Sequence, residues 1–249
     1  MDPFVIEIAG AAIMVQPIFA STKEYCKKYL TDKAHLFRID VTREDLTYEQ
    51  EQLEIEAREQ GIRPRKFPEP FLERATILRK TAEFLLKDRT LLLHGSTVAM
   101  DGKAYLFTAP CGTGKSTHTR LWRQVFGDKA VMINDDKAFL RFSEGRILAC
   151  GSPWSGKHGL DTNVKVPLQG ICVIERGSEN NIIQITGDDV FSILRDQLLG
   201  YKEETDLDLA DGLLHRLLSQ VPVWKLTCNM DPEAAHVSYG AMVNEGDLR

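Results

Sequence analysis

Three features of the sequence predict an α/β fold leaning toward α+β. An apolar, strand-like run passes through a glycine loop into a helical pattern across 104–126. Short β-type runs follow one another with Asp-Gly and Glu-Gly pairs between them. Longer stretches with apolar residues at helical spacing flank that region. The 249 residues, 43% hydrophobic and 27% charged, suffice for one large domain or one core with a smaller appendage. A small N-terminal α/β lobe over 1–88 and a main domain over 89–249 is the division the sequence suggests.

Element by element, apolar runs at 4–9 and 11–18, broken by Gly10 and ended at Pro17, suggest a hairpin. A third strand is predicted at 35–41, where "HLFRIDV" alternates. The charged stretch 48–61 reads as a solvated helix closed by Gly61; its glutamates could be read as an acidic site, but a solvated face is the simpler account. Pro64, Pro68 and Pro70 mark a linker, and Phe71, Ala75, Leu78, Ala82, Leu85 and Leu86 recur at the spacing of an amphipathic helix over 69–87. The boundary between lobe and main domain is placed at 87–90.

The main domain is strand-rich. Strands are predicted at 91–93, 96–100 and 104–108, with Asp101-Gly102 as a hairpin turn, then a helix over 117–126 ending at Gly127. Further strands fall at 131–133, 138–142, 146–149, 166–174 and 182–185, the second and third around a turn at Glu144-Gly145. Phe191, Leu194 and Leu198, then Leu209, Leu213, Leu214 and Leu217, mark two helices. A strand at 221–226 and a helix over 231–243, with Pro232 in its first turn, close the chain.

Composition narrows the function classes. A net charge of −5 argues against nucleic acid as a partner. Cys26, Cys111, Cys150, Cys172 and Cys228 are scattered without C-x-x-C spacing, which argues against a disulfide framework or a zinc site. No secretory leader pattern is found, and no apolar run approaches the roughly 18 residues of a membrane span, so a cytoplasmic protein without a membrane partner is expected.

The stretch A-P-C-G-T-G-K-S, 109–116, fits the phosphate-loop pattern, with Ala109 where the stricter form has glycine. The strand before it and the helix after it supply the required context. Glycines let backbone N–H groups converge on phosphate oxygens, and the helix N-terminus adds its positive end. The residues expected to bind nucleotide are Ala109, Pro110, Cys111, Gly112, Thr113, Gly114, Lys115, Ser116 and Thr117. Lys115 would reach the β- and γ-phosphates and Ser116 would offer its hydroxyl oxygen to Mg²⁺, so ATP and Mg²⁺ are the expected ligands. A structural glycine turn is the alternative. Beyond the loop, Asp135 and Asp136 end an apolar run, where one carboxylate can hold a metal and the other accept a proton. The loop G-S-P-W-S-G-K-H-G, 151–159, could close over the γ-phosphate or bind the acceptor, with Lys157 as the charge; otherwise it is a surface turn with Trp154 packed beneath.

His94-Gly95, the strand pair around Asp101-Gly102, the G-T-G-K-S loop and the N-D-D pair, in that order, resemble the catalytic domain of HPr kinase/phosphorylase, and the loop with its aspartates also resembles the related ATP-dependent phosphoenolpyruvate carboxykinases. The resemblance covers about 91–142 and continues weakly to 177. It implies a P-loop kinase core with a mixed β-sheet and flanking helices. It also implies an active-site role for His94, the proton-acceptor role for Asp136 and an electrostatic or metal role for Asp135, although the sequence leaves an exchange of the two aspartates open. The family's glutamate-bearing E-I-R-G-L-G signature is replaced here by "CGSPWSGKHGL", no later arginine-bearing loop matches, and residues 1–90 do not resemble the family's N-terminal domain. Phosphorylase activity and HPr as substrate are therefore not implied.

The expected function is an ATP-dependent kinase acting on a hydroxyl of a peptide, a protein or a small metabolite, with self-association left open. A nucleotide-binding sensor or regulatory module, or an ATPase without transfer, is the alternative. Carboxykinase chemistry fits less well, since no arginine-rich carboxylate clamp lies near the loop.

Overall fold

The computed structural model describes residues 1–59 and 61–244. The chain opens with β1 (Phe4–Ile8) and β2 (Ala11–Gln16), an antiparallel hairpin whose two turn residues, Ala9 and Gly10, both have positive φ. That is the backbone hand which matches strand twist in a two-residue turn. After the short α1 (Ser21–Tyr25), β3 (Phe37–Asp40) lies parallel to β2 and completes a three-stranded sheet. Next come α2 (Arg43–Glu59) and α3 (Glu69–Lys87), with Pro68 and Pro70 at the start of α3.

A second sheet of nine strands follows. It contains β4 (Thr90–His94), β5 (Ser96–Met100) and β6 (Lys103–Thr108), then, after α4 (Lys115–Phe126), β7 (Val131–Asn134), β8 (Lys137–Ser143), β9 (Arg146–Cys150), β10 (Lys165–Arg176) and β11 (Asn181–Ile185). Helices α5 (Asp188–Arg195) and α6 (Glu204–Gln220) precede β12 (Val223–Cys228), and α7 (Glu233–Asn244) closes the described chain. The hairpins at Asp101-Gly102 and Glu144-Gly145 again have positive φ at both turn residues.

Strand order runs β4-β8-β9-β10-β6-β5-β7, with β12 beside β10 and β11 beside β12. Parallel pairs (β6 and β12 on β10) and antiparallel pairs coexist, so the sheet is mixed. The sheet also curls. Its path ends at β4 and β7, yet Gly95 joins β4 to β5 and residues 135–136 join β7 to β8. The two ends of the path therefore meet at the residues that carry the candidate chemistry.

Side-chain alternation splits the core between the two faces. Along β6, Ala104 and Leu106 join one apolar cluster while Tyr105 and Phe107 join the other. The larger cluster takes in α3, α6 and the N-terminal sheet; the smaller packs β5, β6, β10 and β12 against α4 and α7 around the buried Trp122.

Several elements differ from the sequence expectation. Helix α2 starts at Arg43 rather than at 48, because Thr42 and Asp45 cap it reciprocally: Asp45 N–H donates to Thr42 Oγ1 (3.2 Å) and Thr42 N–H to Asp45 Oδ2 (2.9 Å). Its glutamates are not uniformly solvated. Glu49 is buried against the Arg79 guanidinium at 2.5 Å. Gln60 and residues 245–249 lie outside the described residues. Strand β12 begins two positions later than expected because Pro222 has no N–H to donate; its carbonyl instead accepts Ile171 N–H at 3.1 Å. Helix α5 ends before Leu198, which is bridged to Leu93 at the sheet edge.

Candidate active site

Strand β6 ends at Thr108 and the glycine loop begins at the buried Ala109. Gly112 (φ 77°) and Gly114 (φ 137°) adopt backbone conformations that other residues resist, and a β-carbon on either would meet no atom within 4 Å. The loop therefore borders open space. The first turn of α4 leaves the N–H groups of Lys115, Ser116 and Thr117 without intrahelical acceptors, with Ser116 exposed beside them. The loop carbonyls turn the other way. Lys115 Nζ donates to Ala109 O (2.7 Å) and Pro110 O (3.3 Å), and Thr113 Oγ1 donates to Pro110 O (2.9 Å). The carbonyls of Ala109 and Pro110 are thus occupied, and the first-turn N–H groups of α4 are the donors that a bound anion would meet. Burial pushes the Lys115 ammonium below its ordinary range, against the opposing charges of Cys111, Asp136 and Asp135.

The carboxylate pair sits where β4 meets β8. Register places His94 opposite Lys137, so Asp136, one residue before Lys137, lies between two nitrogen groups. His94 Nε2 is 3.4 Å from Asp136 Oδ1, and Lys137 Nζ donates to Asp136 Oδ2. Burial pushes the Asp136 carboxyl up, but the His94 hydrogen bond and the Lys137 ammonium outweigh it and hold it at about 2. The backbone of the pair is pinned by Asn134, whose Oδ1 accepts the N–H groups of Asp136 (2.8 Å) and Lys137 (2.6 Å), and by Gly95 N–H on Asp136 O (3.0 Å).

Asp135 is only 4% exposed. Its Oδ1 accepts from Ser96 Oγ at 2.8 Å, and because Ser96 spends its one proton there, it must accept from Thr119 Oγ1, also at 2.8 Å. A buried hydroxyl relay thus ties α4 to Asp135. Among the described residues, no group of three or more His, Cys, Asp and Glu side chains could hold a metal ion. A divalent cation carried on phosphates needs fewer, since Mg²⁺ keeps several waters and takes one or two protein oxygens. Ser116 and the second oxygen of Asp135 are compatible with that demand.

The 151–159 loop covers the pair. A β-carbon at Gly156 would stand 3.4 Å from Asp136 Cβ, and Asn134 Nδ2 donates to Ser152 O at 2.9 Å. Trp154 is buried beneath the loop and donates to Arg74 O at 2.8 Å, while Lys157 is exposed on the same loop. Of the residues expected from sequence, His94, Asp135 and Asp136 lie together, within the electrostatic reach of Lys115 at the glycine loop. The sequence reading gives no site role to Ser96 or Lys137, and none to Asn134 beyond its place in the N-D-D motif. Asn134 and Lys137 flank the aspartates in "NDDK", and that adjacency was the available signal.

Arg176, at the end of β10, was also not anticipated: its Nε donates to Thr113 O at 3.0 Å and its Nη2 to Gly112 O. The guanidinium braces the loop from the sheet side.

No family model and no curated protein sequence matches the chain. Among solved structures, the Hpr(Ser) kinase/phosphatase from Coxiella burnetii is similar, with a TM-score of 0.37 and 10% identity, covering 62% of this chain and 97% of that one. A likeness at that level carries no weight for the chemistry, which rests on the geometry above.

Proposed function

We propose that the chain is an ATP-dependent phosphotransferase that moves the γ-phosphoryl group to a hydroxyl. The observation that carries this reading is an ionised, half-buried carboxylate, Asp136, held between His94 and Lys137 within the electrostatic reach of Lys115 at a glycine loop that borders open space. In the reaction the acceptor oxygen bonds the γ-phosphorus, the bond from that phosphorus to the bridging oxygen of the leaving diphosphate breaks, and the hydroxyl proton passes to Asp136. The transition state is loose, so the acceptor loses its proton late, and a weak base that is always ionised and well oriented suffices. A carboxyl held at about 2 meets that requirement. Lys115 and the N–H groups of α4 would bind the phosphates, and Mg²⁺ bound with the nucleotide would offset charge on the β- and γ-phosphates with Ser116 and Asp135 as its protein oxygens.

The test is an ATP-consumption screen against peptide and small-molecule hydroxyls with ³¹P detection of the product. Asp136→Asn should retain ATP affinity while transfer falls by about 10²–10⁴-fold. Transfer at the wild-type rate in that variant would remove Asp136 from the role. A nucleotide-binding module or ATPase without transfer is favoured by one feature, that His94 and Lys137 together occupy both Asp136 oxygens. ATP binding with no phosphorylated product from any acceptor would decide for it.

A further inference from the structure

Beneath the 151–159 loop, α3 presents a guanidinium that no carboxylate neutralises. Arg74 is half-buried, and its side chain makes no ion pair or hydrogen bond among the described residues. Of its three nitrogens only Nε is sealed from solvent, so the two terminal nitrogens, equally without a partner, are reached by water. An arginine stays charged at any ordinary pH, and a half-buried charge without a counter-ion is a cost to the fold.

Three carboxylates act on the same corner of the molecule, and each is committed elsewhere. Glu73 accepts from Ile18 N–H, Phe19 N–H and Thr22 Oγ1. Asp161 is taken by Tyr29 and Lys28 on one oxygen and by Ser155 on the other. Asp136 is held between His94 and Lys137.

A second unmatched donor stands beside the first. Arg74 Cζ lies over the Tyr25 ring, 4.3 Å from its centroid, which fixes the guanidinium in place. The Tyr25 hydroxyl makes no hydrogen bond among the described residues. Burial above all, then the charges of Cys26, Asp161 and Asp136, push this phenol above its ordinary range against the pull of Arg74, so it keeps its proton. A charged fork and a phenolic O–H, side by side and without an acceptor, match the oxygens of an oxyanion.

The pair is also close to the reacting groups. Trp154 bonds Arg74 O at 2.8 Å, and two residues further on a β-carbon at Gly156 would stand 3.4 Å from Asp136 Cβ. Two residues of chain span at most about 7 Å, so beyond the tryptophan side chain little separates the unmatched donors from the proposed base.

We propose that Arg74 and Tyr25 bind an oxyanion of the phosphoryl acceptor, a carboxylate or a phosphate carried beside the hydroxyl that meets Asp136. The proposal rests on the phosphotransferase reading of the site and adds the chemical class of the acceptor.

The first test needs no nucleotide. The full chain is titrated with acetate or inorganic phosphate at constant ionic strength, and the Trp154 indole N–H, bonded to Arg74 O, is followed by ¹⁵N NMR. A saturable shift is expected with at least one anion, with affinity about tenfold or more weaker in Arg74→Gln and about threefold or more weaker in Tyr25→Phe. Tyr25→Phe keeps the ring under the guanidinium, so it decides the matter if circular dichroism shows Arg74→Gln unfolded. No saturable shift with either anion, or a shift that both substitutions leave unchanged, would overturn the proposal.

The second test runs the acceptor screen in matched pairs, N-acetylserine beside its amide and glycerol phosphate beside glycerol. The charged member of a pair should have a KM about tenfold or more below that of its neutral partner, and Arg74→Lys should remove most of that advantage while kcat stays within about threefold. Which pair shows the preference tells carboxylate from phosphate. A neutral compound phosphorylated as efficiently as its charged partner would overturn the proposal and spare the phosphotransferase reading. ATP binding with transfer to no compound would overturn that reading and the acceptor with it, whatever the anion titration shows.

Discussion

His118→Gln should flatten the acid limb of the stability curve. The imidazole is sealed between α4 and α7: its ring lies against Phe107 (centroids 4.7 Å apart), and Nε2 is 3.0 Å from Ser238 Oγ. Burial lowers it from 6.5 to about 4, with no charged partner contributing. As pH falls below 6.5 the unfolded chain takes up a proton that the folded chain refuses until about 4, so stability drops through that window and the loss is complete below it. At about 1.4 kcal/mol per pH unit, the displacement amounts to ~3 kcal/mol. Guanidinium unfolding of wild type and variant at steps from pH 7.5 to 4 measures it, and the difference between the two curves cancels the carboxylates they share. Gln keeps an acceptor for Trp122 but does not titrate. Equal losses of stability in the two proteins would refute the buried, neutral histidine.

On the proposed reading, Lys115→Ala should weaken ATP·Mg²⁺ binding by about tenfold or more in calorimetry, since it removes the ammonium that would meet the phosphates and one brace of the loop carbonyls. Lys137→Met should raise the Asp136 carboxyl from about 2 toward its ordinary range, read by ¹³C titration of that carboxyl; an unmoved titration would leave His94 as its sole support. Glu73→Ala should cost about 3 kcal/mol in chemical denaturation, because the buried Glu73 carboxylate accepts from Ile18 N–H, Phe19 N–H and Thr22 Oγ1 and their loss strands buried donors. A cost under about 0.5 kcal/mol would mean that water replaces it.

Local chemistry was the legible part of this chain. The Asp101-Gly102 and Glu144-Gly145 turns declared themselves because positive φ at both turn positions favours few residue types, and the glycine loop did so for the same reason. Long-range register was not legible. That His94 stands across from Lys137, and Thr97 across from Asn134, follows from strands distant in sequence finding each other, and no local pattern encodes it. Ser96 therefore looked like one more polar residue in a strand until Asp135 arrived beside it. The 42–45 cap is written as T-R-E-D, a four-residue pattern whose reciprocal bonds appear only once the chain is folded. The Arg176 brace lies beyond the well-matched part of the family resemblance, and only the fold brings it to the loop.

The N-terminal part of the chain reaches the 151–159 loop through one carboxylate. Asp161 follows the loop that covers Asp136, and its Oδ2 accepts from Tyr29 Oη (3.0 Å) and Lys28 Nζ (3.2 Å), both in the lobe, while its Oδ1 accepts from Ser155 Oγ (3.0 Å) within the loop. Trp154 adds its hydrogen bond to α3. The loop that carries Gly156 over the Asp136 side chain is thus anchored by residues distant in sequence. The glycine loop is held differently, by Lys115 from α4 and by Arg176 from β10, which pairs with β6. If the loop admits the acceptor, Tyr29→Phe should raise the acceptor KM and leave ATP affinity unchanged, since it loosens one anchor of Asp161 and touches nothing around the phosphates. A change in ATP affinity with acceptor KM constant would mean that the lobe acts through the glycine loop and that the two halves are not mechanically separate.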